Sequence, residues 1–380
     1  MSDWLGVVVL AGVVLVVALA AWNLTLFRLA PAAVPASTAV SILIPARDEA
    51  AGIEAAVRAA CAQRLVPVQV LVLDDGSTDD TPAILAGLAR ELPALRVIAG
   101  APLPPGWTGK AWACWQLAAE HARSPLLCFV DADVRLADDA VARALARAGE
   151  TGAHFVSAFP REVVGTVGEA LLVPLIHLVL LSYLPLARLR RDPRPALSAG
   201  CGQFMLVPRA AYLAADGHRA LRRSLHDGIQ LARRLKARGH PIDVFDGSDL
   251  ATCRMYRGFA ASWRGFGRNA YEALGSPLAL ATMTVLNAGL FIAPFVGAPV
   301  GLVRGEPGGL ALAVAAALVV GLRLRLATRF GHPRWIALAT PVAVALMIAL
   351  QAWSFWNHLT GRAVVWRARA YPGRAAGRDG

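Results

Sequence analysis

Apolar positions along this chain fall into two regimes. Residues 4–22 are almost uniformly hydrophobic for about 19 positions, roughly 28 Å as a helix, which matches the hydrocarbon thickness of a bilayer. Residues 40 to about 244 instead alternate short apolar bursts with helical spacing, the signature of βα layering. VSILI (40–44), VQVLVL (68–73), LRVIA (95–99) and LLCFV (126–130) have the length and composition of buried strands. Between the first two, residues 49–63 carry the Ile53, Val57, Ala60 spacing of an amphipathic helix. Asp79-Asp80-Thr81-Pro82 opens another, with a capping residue ahead of a proline in the first turn. There is no internal repeat.

The apolar regime returns at residues 277–303, 310–322 and 335–356, and the last two segments flank a basic loop with Arg323, Arg325, Arg329 and Arg334. Arg28 follows the first segment, and the chain opens Met1-Ser2-Asp3 without the positive start of a cleaved signal peptide, so that segment reads as an anchor. Positively charged flanks stay in the cytoplasm, which places the middle of the chain there, on a multi-pass protein of the cell's inner (plasma) membrane. Parity complicates this layout. If all three later segments cross, the tail with Arg362, Arg367, Arg369, Arg374 and Arg378 ends outside, so one of them is expected to be re-entrant or interfacial. A crossing at residues 170–187, which hold Pro174, His177 and Pro185, would put Asp131 and Asp227 on opposite sides of the membrane. That stretch is expected to lie on the membrane surface or to be a core helix. The expected layout is an anchor over 1–30, an α/β domain over 38–260, an interfacial segment over 261–276, a transmembrane region over 277–357 and a basic tail over 358–380.

Composition sharpens the picture. The chain has 380 residues, 56% of them hydrophobic, too many for an ordinary soluble enzyme, while the charged middle is wrong for a pure membrane bundle. Its net charge of +12 sits largely in tails and loops beside apolar segments, which suits anionic headgroups and argues against nucleic acid as partner. Five cysteines, without Cys-x-x-Cys spacing, read as reduced thiols of a cytosolic domain.

Five segments carry candidate chemistry. LLCFVDADVRL (126–136) ends a strand in Asp131 and Asp133, at the edge where open α/β sheets bind ligands; two such carboxylates suit a hard divalent cation that keeps its other positions for phosphate oxygens. The same Asp-x-Asp also caps turns. SILIPARDEAAGI (41–53) ends a strand at Pro45 and opens a helix beyond Arg47 and Glu49, whose N–H groups and carboxylate suit a nucleotide. In VLDDGSTDDT (72–81) carboxylates follow a strand and can accept from a uracil N3–H or ribose hydroxyls, although Asp-Gly-Ser is equally an ordinary turn. GWTGKAWA (106–113) holds Lys110, one of two lysines beside thirty-six arginines, in a glycine-flanked loop where it would serve as a point charge for phosphate. Downstream, HDGIQLARRLKARGH (226–240) starts a helix at Asp227, either a general base or an N-cap.

Taken in order, P-A-R-D-E, D-D-G-S, G-K, D-A-D and a later H-D resemble the family 2 glycosyltransferases over residues 40–268. The G-W-T-G-K loop, the flanking apolar segments and the stretch from Arg254 to Asn269 resemble the branch of hopene-associated or carotenoid-type enzymes. The resemblance implies a GT-A fold, an α/β Rossmann-like nucleotide-diphospho-sugar transferase domain with N- and C-terminal transmembrane helices. It implies Asp75 as the base-binding carboxylate with Pro45, Arg47 and Glu49 nearby, Asp131 and Asp133 as the pair for Mg²⁺ or Mn²⁺ and the ribose-diphosphate, and Asp227 as catalytic base. Two departures stand out: His226-Asp227 replaces the usual Glu-Asp, and the Gln-x-x-Arg-Trp of processive synthases is absent, which favours a single transfer.

The expected activity is inverting transfer from a nucleotide-sugar, a UDP-sugar foremost, to a hopanoid, carotenoid or other isoprenoid-type lipid, with Trp263, Arg264 and Arg268 at the acceptor or membrane interface and Lys110 at the diphosphate. Transfer onto a polyprenyl phosphate, which needs no general base, and a non-catalytic membrane scaffold with a degenerate transferase domain remain as alternatives.

Overall fold

The computed structural model describes residues 3–268, 270–362, 364–366 and 369–371. Asn269 and the tail residues Arg367, Arg374 and Arg378 lie outside the described residues. In chain order the elements are α1 (Asp3–Leu26), β1 (Val40–Ala46), α2 (Ile53–Cys61), β2 (Val68–Asp74), α3 (Thr81–Glu91), β3 (Leu95–Ala99), α4 (Gly109–Trp115), β4 (Leu126–Val130), β5 (Val134–Leu136), α5 (Ala140–Thr151) and β6 (Phe155–Glu162). Then come α6 (Val167–Leu172), α7 (Leu175–Tyr183), α8 (Leu186–Arg191), β7 (Phe204–Pro208), α9 (Arg209–Ala214), α10 (Gly217–Ala220), α11 (Asp227–Ala237) and β8 (Ile242–Cys253). Helices α12 (Phe259–Gly267), α13 (Ala270–Leu274), α14 (Pro277–Phe291), α15 (Ala293–Val303), α16 (Pro307–Phe330) and α17 (Thr340–Leu359) follow, and a short hairpin of β9 (Val364–Trp366) and β10 (Arg369–Tyr371) comes last. They form two compact units, one of Phe27–Arg161 with Leu186–Arg254, the other of Met1–Leu26, Glu162–Pro185 and Met255–Gly380.

The first unit is built on a mixed sheet of order β3-β2-β1-β4-β7-β6-β8-β5. β1 pairs in parallel with β2 on one side and β4 on the other, Val40 lying opposite both Val68 and Leu126. These strands read as continuous apolar runs because both faces are covered: Val40, Ile42, Leu43 and Ile44 are fully buried. Beyond β4 the ladder turns antiparallel, β4 to β7 and β7 to β6. Strand order reverses between β1 and β4, which opens a crevice at their C-terminal ends, the place where such sheets take ligands.

Several expected elements shift. The first amphipathic helix spans Ile53–Cys61, not 49–63, because residues 48–52 form a turn tied to the next loop. The apolar stretch 170–187 is broken at Pro174 into α6 and α7, since proline cannot continue the hydrogen-bond ladder. The segment expected over 310–322 extends through Pro307–Phe330, so Arg323, Arg325 and Arg329 are helical rather than a loop. Arg323 is fully buried and donates from Nη1 to the Pro174 carbonyl at 3.3 Å.

In the second unit α1 and α16 run side by side in the same direction. Gly6 of α1 lies against the Gly308 backbone near the start of α16, leaving no room for a Cβ. At their other ends both meet α7: Asn23 Nδ2 donates to the carbonyls of Leu181 and Leu184, and the Phe330 ring stacks on His177 with centroids 3.7 Å apart. α15 returns along α16 through a close Gly301–Gly309 contact. α14 and α15 are bent by 43° at Ile292, where Pro294 interrupts the backbone bonding. Among the described residues three helices, α1 from Trp4, α16 and α17, are long and apolar enough to cross a membrane, and the bent pair makes up to four. Exposed apolar side chains such as Leu15, Val303 and Leu310 line the long helices, which associates this unit with a lipid environment.

Candidate active site

Asp131 follows the last residue of β4 and Asp133 precedes β5, so the turn between them presents both carboxylates at the crevice. Its backbone is set by Asp131 N–H donating to the Gln203 carbonyl at 3.2 Å and Val134 N–H donating to the Asp131 carbonyl at 3.1 Å. Lys110 lies in the first turn of α4 rather than in a loop, and its Nζ reaches Asp131 Oδ1 at 2.6 Å and Asp227 Oδ2 at 2.9 Å. One lysine therefore joins two acidic residues more than ninety positions apart in sequence.

The electrostatics follow from burial and from an excess of negative charge. Burial pushes the Asp131 carboxyl up to about 7, with Asp133 and Asp227 adding to the rise against the pull of Lys110. Burial works against the charge of Asp227 as well, but Lys110 and His218 overcome it and hold this carboxyl well below the usual range. Lys110 is raised well above its ordinary value, its two carboxylate partners outweighing its own desolvation. Two carboxylates pair with one ammonium, and Asp133 adds its charge beside Asp131, so acidic groups outnumber basic ones here.

Asp227 is the first residue of α11, not its cap; His226 holds the cap position, and Asp227 Oδ1 accepts from the Gly228 N–H at 2.9 Å. Behind it sits His218, fully buried, with Nε2 3.8 Å from Asp227 Oδ2. The Tyr212 hydroxyl oxygen accepts the His218 backbone N–H at 3.0 Å and pairs with Nδ1 at 2.9 Å. Because that oxygen already accepts one N–H, the phenol O–H is free to donate to Nδ1, leaving the proton of a neutral imidazole on Nε2, facing Asp227. Burial lowers the pKa of His218, consistent with the neutral form. Gly202 stands on the other side, where a Cβ would collide with the Asp227 carboxylate, and Gly228 is pressed against Gly200 and Gly202 in the same way. Sequence reading missed His218, Tyr212 and Gly202; the only local hint was a Gly-Cys-Gly ahead of a strand.

The other half of the crevice joins the ends of β1 and β2. Pro45 pairs with Leu73 across the ladder. Asp48, in the left-handed region at φ 51°, donates its N–H to Ser77 Oγ at 2.9 Å, and its Oδ1 accepts the Thr78 N–H at 2.7 Å. The N–H groups of Glu49 and Ala50 are taken by Thr81 Oγ1 and Asp79 Oδ2, so the helix N-terminus expected to offer free donors here offers neither of these. The Arg47 guanidinium donates to the carbonyls of Asp75 and Gly76. The Asp75 side chain is buried in this platform. Trp263, Arg264 and Arg268 belong to the helical unit, on α12 and at its end; Trp263 packs against Phe259 and Trp353, and Arg264 is exposed. Among the described residues no three His, Cys, Asp or Glu side chains converge to hold a metal unaided.

Comparison with known proteins agrees with this geometry. Residues 41–213 match the family model described as glycosyl transferase family 2. The 4,4'-diaponeurosporenoate glycosyltransferase of Staphylococcus aureus strain USA300 is 30% identical over 242 residues, and that of strain MRSA252 is 29% identical. The match covers 62% of this chain and 62% of the length of each relative. A mannosyltransferase from Pyrobaculum calidifontis, solved with GDP-Man and Mn²⁺, covers 94% of this chain and 99% of its own with a TM-score of 0.58 at 16% identity, a likeness of fold. The sheet with its reversal at β1 and β4 has the GT-A fold, with long apolar helices toward both ends of the chain, and residues 41–213 are a glycosyl transferase family 2 domain.

Proposed function

We propose that this chain is a membrane-anchored, inverting glycosyltransferase that moves one sugar from a nucleoside diphosphate donor to an isoprenoid-type lipid. The observation that carries the reading is the Lys110 bridge between Asp131 and Asp227 at the sheet reversal, which sets the groups for leaving and for attacking a few ångströms apart. The buried platform at Asp75 takes the donor's base, a uracil N3–H foremost, with Arg47 holding the loop and Pro45 and Glu49 alongside. Relatives named for a carotenoid acid support a lipid acceptor, and so do the apolar helices.

The residues present suit a divalent cation. Two carboxylates one residue apart, in a pocket with surplus negative charge and a destabilised Asp131, favour a cation, and the lack of a third protein ligand suits Mg²⁺ or Mn²⁺, which draws its remaining oxygens from phosphate and water. Asp131 and Asp133 would hold it. Bound there, it neutralises the charge that develops on the departing diphosphate. Lys110 moves toward the diphosphate oxygens as the donor arrives, because phosphate and carboxylate compete for one ammonium. That releases Asp227, whose carboxylate regains basicity and takes the proton of the acceptor hydroxyl as it attacks the anomeric carbon. Attack opposite the leaving group in one displacement inverts the configuration. The Gly228 N–H keeps Asp227 oriented, with His218 Nε2 3.8 Å behind it.

Arg28 after the first crossing sets the GT-A domain on the cytoplasmic side of the inner membrane, where nucleotide sugars are made. Trp263, Arg264 and Arg268 anchor at the headgroups or meet the acceptor. The deciding experiment incubates purified protein in membrane lipid extract with Mn²⁺ and UDP-hexoses and follows lipids by mass spectrometry. A hexose increment on an isoprenoid-type lipid is expected; no increment together with no nucleotide binding would return the chain to a scaffold role.

Gly202→Ala probes the site from behind. Its Cβ must displace the Asp227 carboxylate, so turnover is expected to fall at least about tenfold, since a small misplacement of a reacting group is costly, while UDP affinity holds. Turnover equal to the parent would show that the position of Asp227 does not matter.

A further inference from the structure

Helix α17 is as long as a membrane span, yet its two ends are held on one side of the helical unit. At its start, Ile336 in the 3-10 turn Arg334–Ala337 packs with Ala327 near the C-terminal end of α16 and with Ala170 of α6. At its finish, Ser354 Oγ accepts the Tyr271 N–H at 3.2 Å, the Tyr271 ring meets Phe355 and His358, and Trp353 lies against Gly267. α12 links these places: it starts where Gly258 N–H donates to Glu169 of α6 at 2.6 Å, and it runs through α13 to the beginning of α14.

The level of those places follows from the crossing helices. α1 and α16 are parallel, so Phe330 ends α16 at the level where Leu26 ends α1, and α7 lies across both ends. α14 and α15 ascend from that level: Leu290 reaches Gly12 in the middle of α1, and Gly301 reaches Gly309 near the start of α16. α13, directly before α14, is therefore on the same level as α6. From Thr340 to Ser354 α17 covers about 21 Å at 1.5 Å per residue, the combined length of α12 and α13, which it accompanies.

We infer that α17 does not cross the membrane but lies along the bilayer surface on the side where α1 ends, its outer face in the acyl-headgroup boundary. The chain then crosses three times, through α1, the bent α14–α15 pair and α16, and leaves α17 on the side where α1 ends. The helix is built for this. Thr340, Ala343, Val344, Met347, Leu350 and Ser354 form its buried stripe. The opposite stripe, Val342, Ala345, Ala349, Trp353, Trp356 and Leu359, is exposed and apolar. Its tryptophans are the residues that favour the bilayer boundary. Among the three long helices it has the lowest mean hydropathy, 1.3 against 2.8 and 2.0. Laid flat, it also removes the parity conflict, because Arg334 and the tail arginines from Arg362 onward join Arg28 on one side.

The inference rests on the membrane-embedded reading proposed above, and its test separates the two. Single reporter cysteines are placed at four exposed positions, Ala83→Cys, Arg304→Cys, Arg334→Cys and Thr360→Cys, and labelled with an impermeant maleimide in intact cells and in inverted vesicles, against the unmodified chain as background. Arg334→Cys and Thr360→Cys are expected to label from one side and Arg304→Cys from the other. Labelling of Thr360→Cys together with Arg304→Cys overturns the inference. Ala83→Cys reports the absolute side of the GT-A domain, so an inverted orientation would sink the cytoplasmic assignment while leaving the surface helix intact. As a second measurement, nitroxides at Ala345, Ala349 and Ala352 should share one shallow depth; a steep gradient with Ala349 at the bilayer centre overturns the inference by itself.

Discussion

Asp133→Ala is expected to abolish sugar transfer and Mn²⁺-dependent nucleotide binding together, and to leave the domain folded. The turn that carries Asp133 is fixed by backbone bonds, Asp131 N–H to the Gln203 carbonyl and Val134 N–H to the Asp131 carbonyl, neither of which uses the Asp133 side chain. Its loss also removes a negative neighbour that destabilises ionised Asp131, so the remaining site is less negative and closer to balance with Lys110. A cation then has one carboxylate and a competing ammonium in place of two carboxylates, and no other protein cluster among the described residues takes over. Calorimetric titration of UDP with and without Mn²⁺ measures the effect, with thermal melting as the control for folding. Unchanged affinity in the presence of Mn²⁺ would remove Asp133 from the metal site.

The parts of this site that the sequence reveals are those where one strand end carries its own chemistry. β1, β2 and β4 are parallel and largely buried on both faces, so they appear as near-continuous apolar runs, and the residues after them, Arg47, Asp75 and Asp131, are found by simple position. β8 is harder to see. It contains Asp243, Asp246 and Asp249, a polarity that reads as loop, yet Asp243 is buried because Arg147 from α5 at 2.8 Å and Arg190 from α8 at 2.5 Å compensate its charge. Those partners are 96 and 53 residues away, and nothing local announces them. His218 is hidden for a similar reason, since its meaning lies in Tyr212 six residues before it and Asp227 across a loop. Arg323 misled in the other direction: an arginine after an apolar run suggests the end of a span, but helix propensity and the Pro174 carbonyl carry α16 on to Phe330.

Asp227→Asn is expected to cut turnover by about 10²- to 10⁴-fold, the usual consequence of losing a general base, while nucleotide affinity stays close to that of the parent. The substitution is well suited to the question because it keeps what the fold needs. An amide oxygen can still accept the Gly228 N–H, and the side chain fits the same space against Gly202, where nothing larger is tolerated. The charge is lost, and the amide NH2 that takes the place of Oδ2 cannot accept from Lys110, which loses one of its two partners while its bond to Asp131 remains. Steady-state rates with the lipid acceptor, set beside UDP titration, give three distinguishable results. Lost turnover with retained binding assigns the proton transfer to Asp227. Loss of both makes Asp227 a structural partner of Lys110. Full activity points to an acceptor that arrives already ionised, a carboxylate or a phosphate, and the ion pair of Asp227 with Lys110 would then serve to place the lysine rather than to accept a proton.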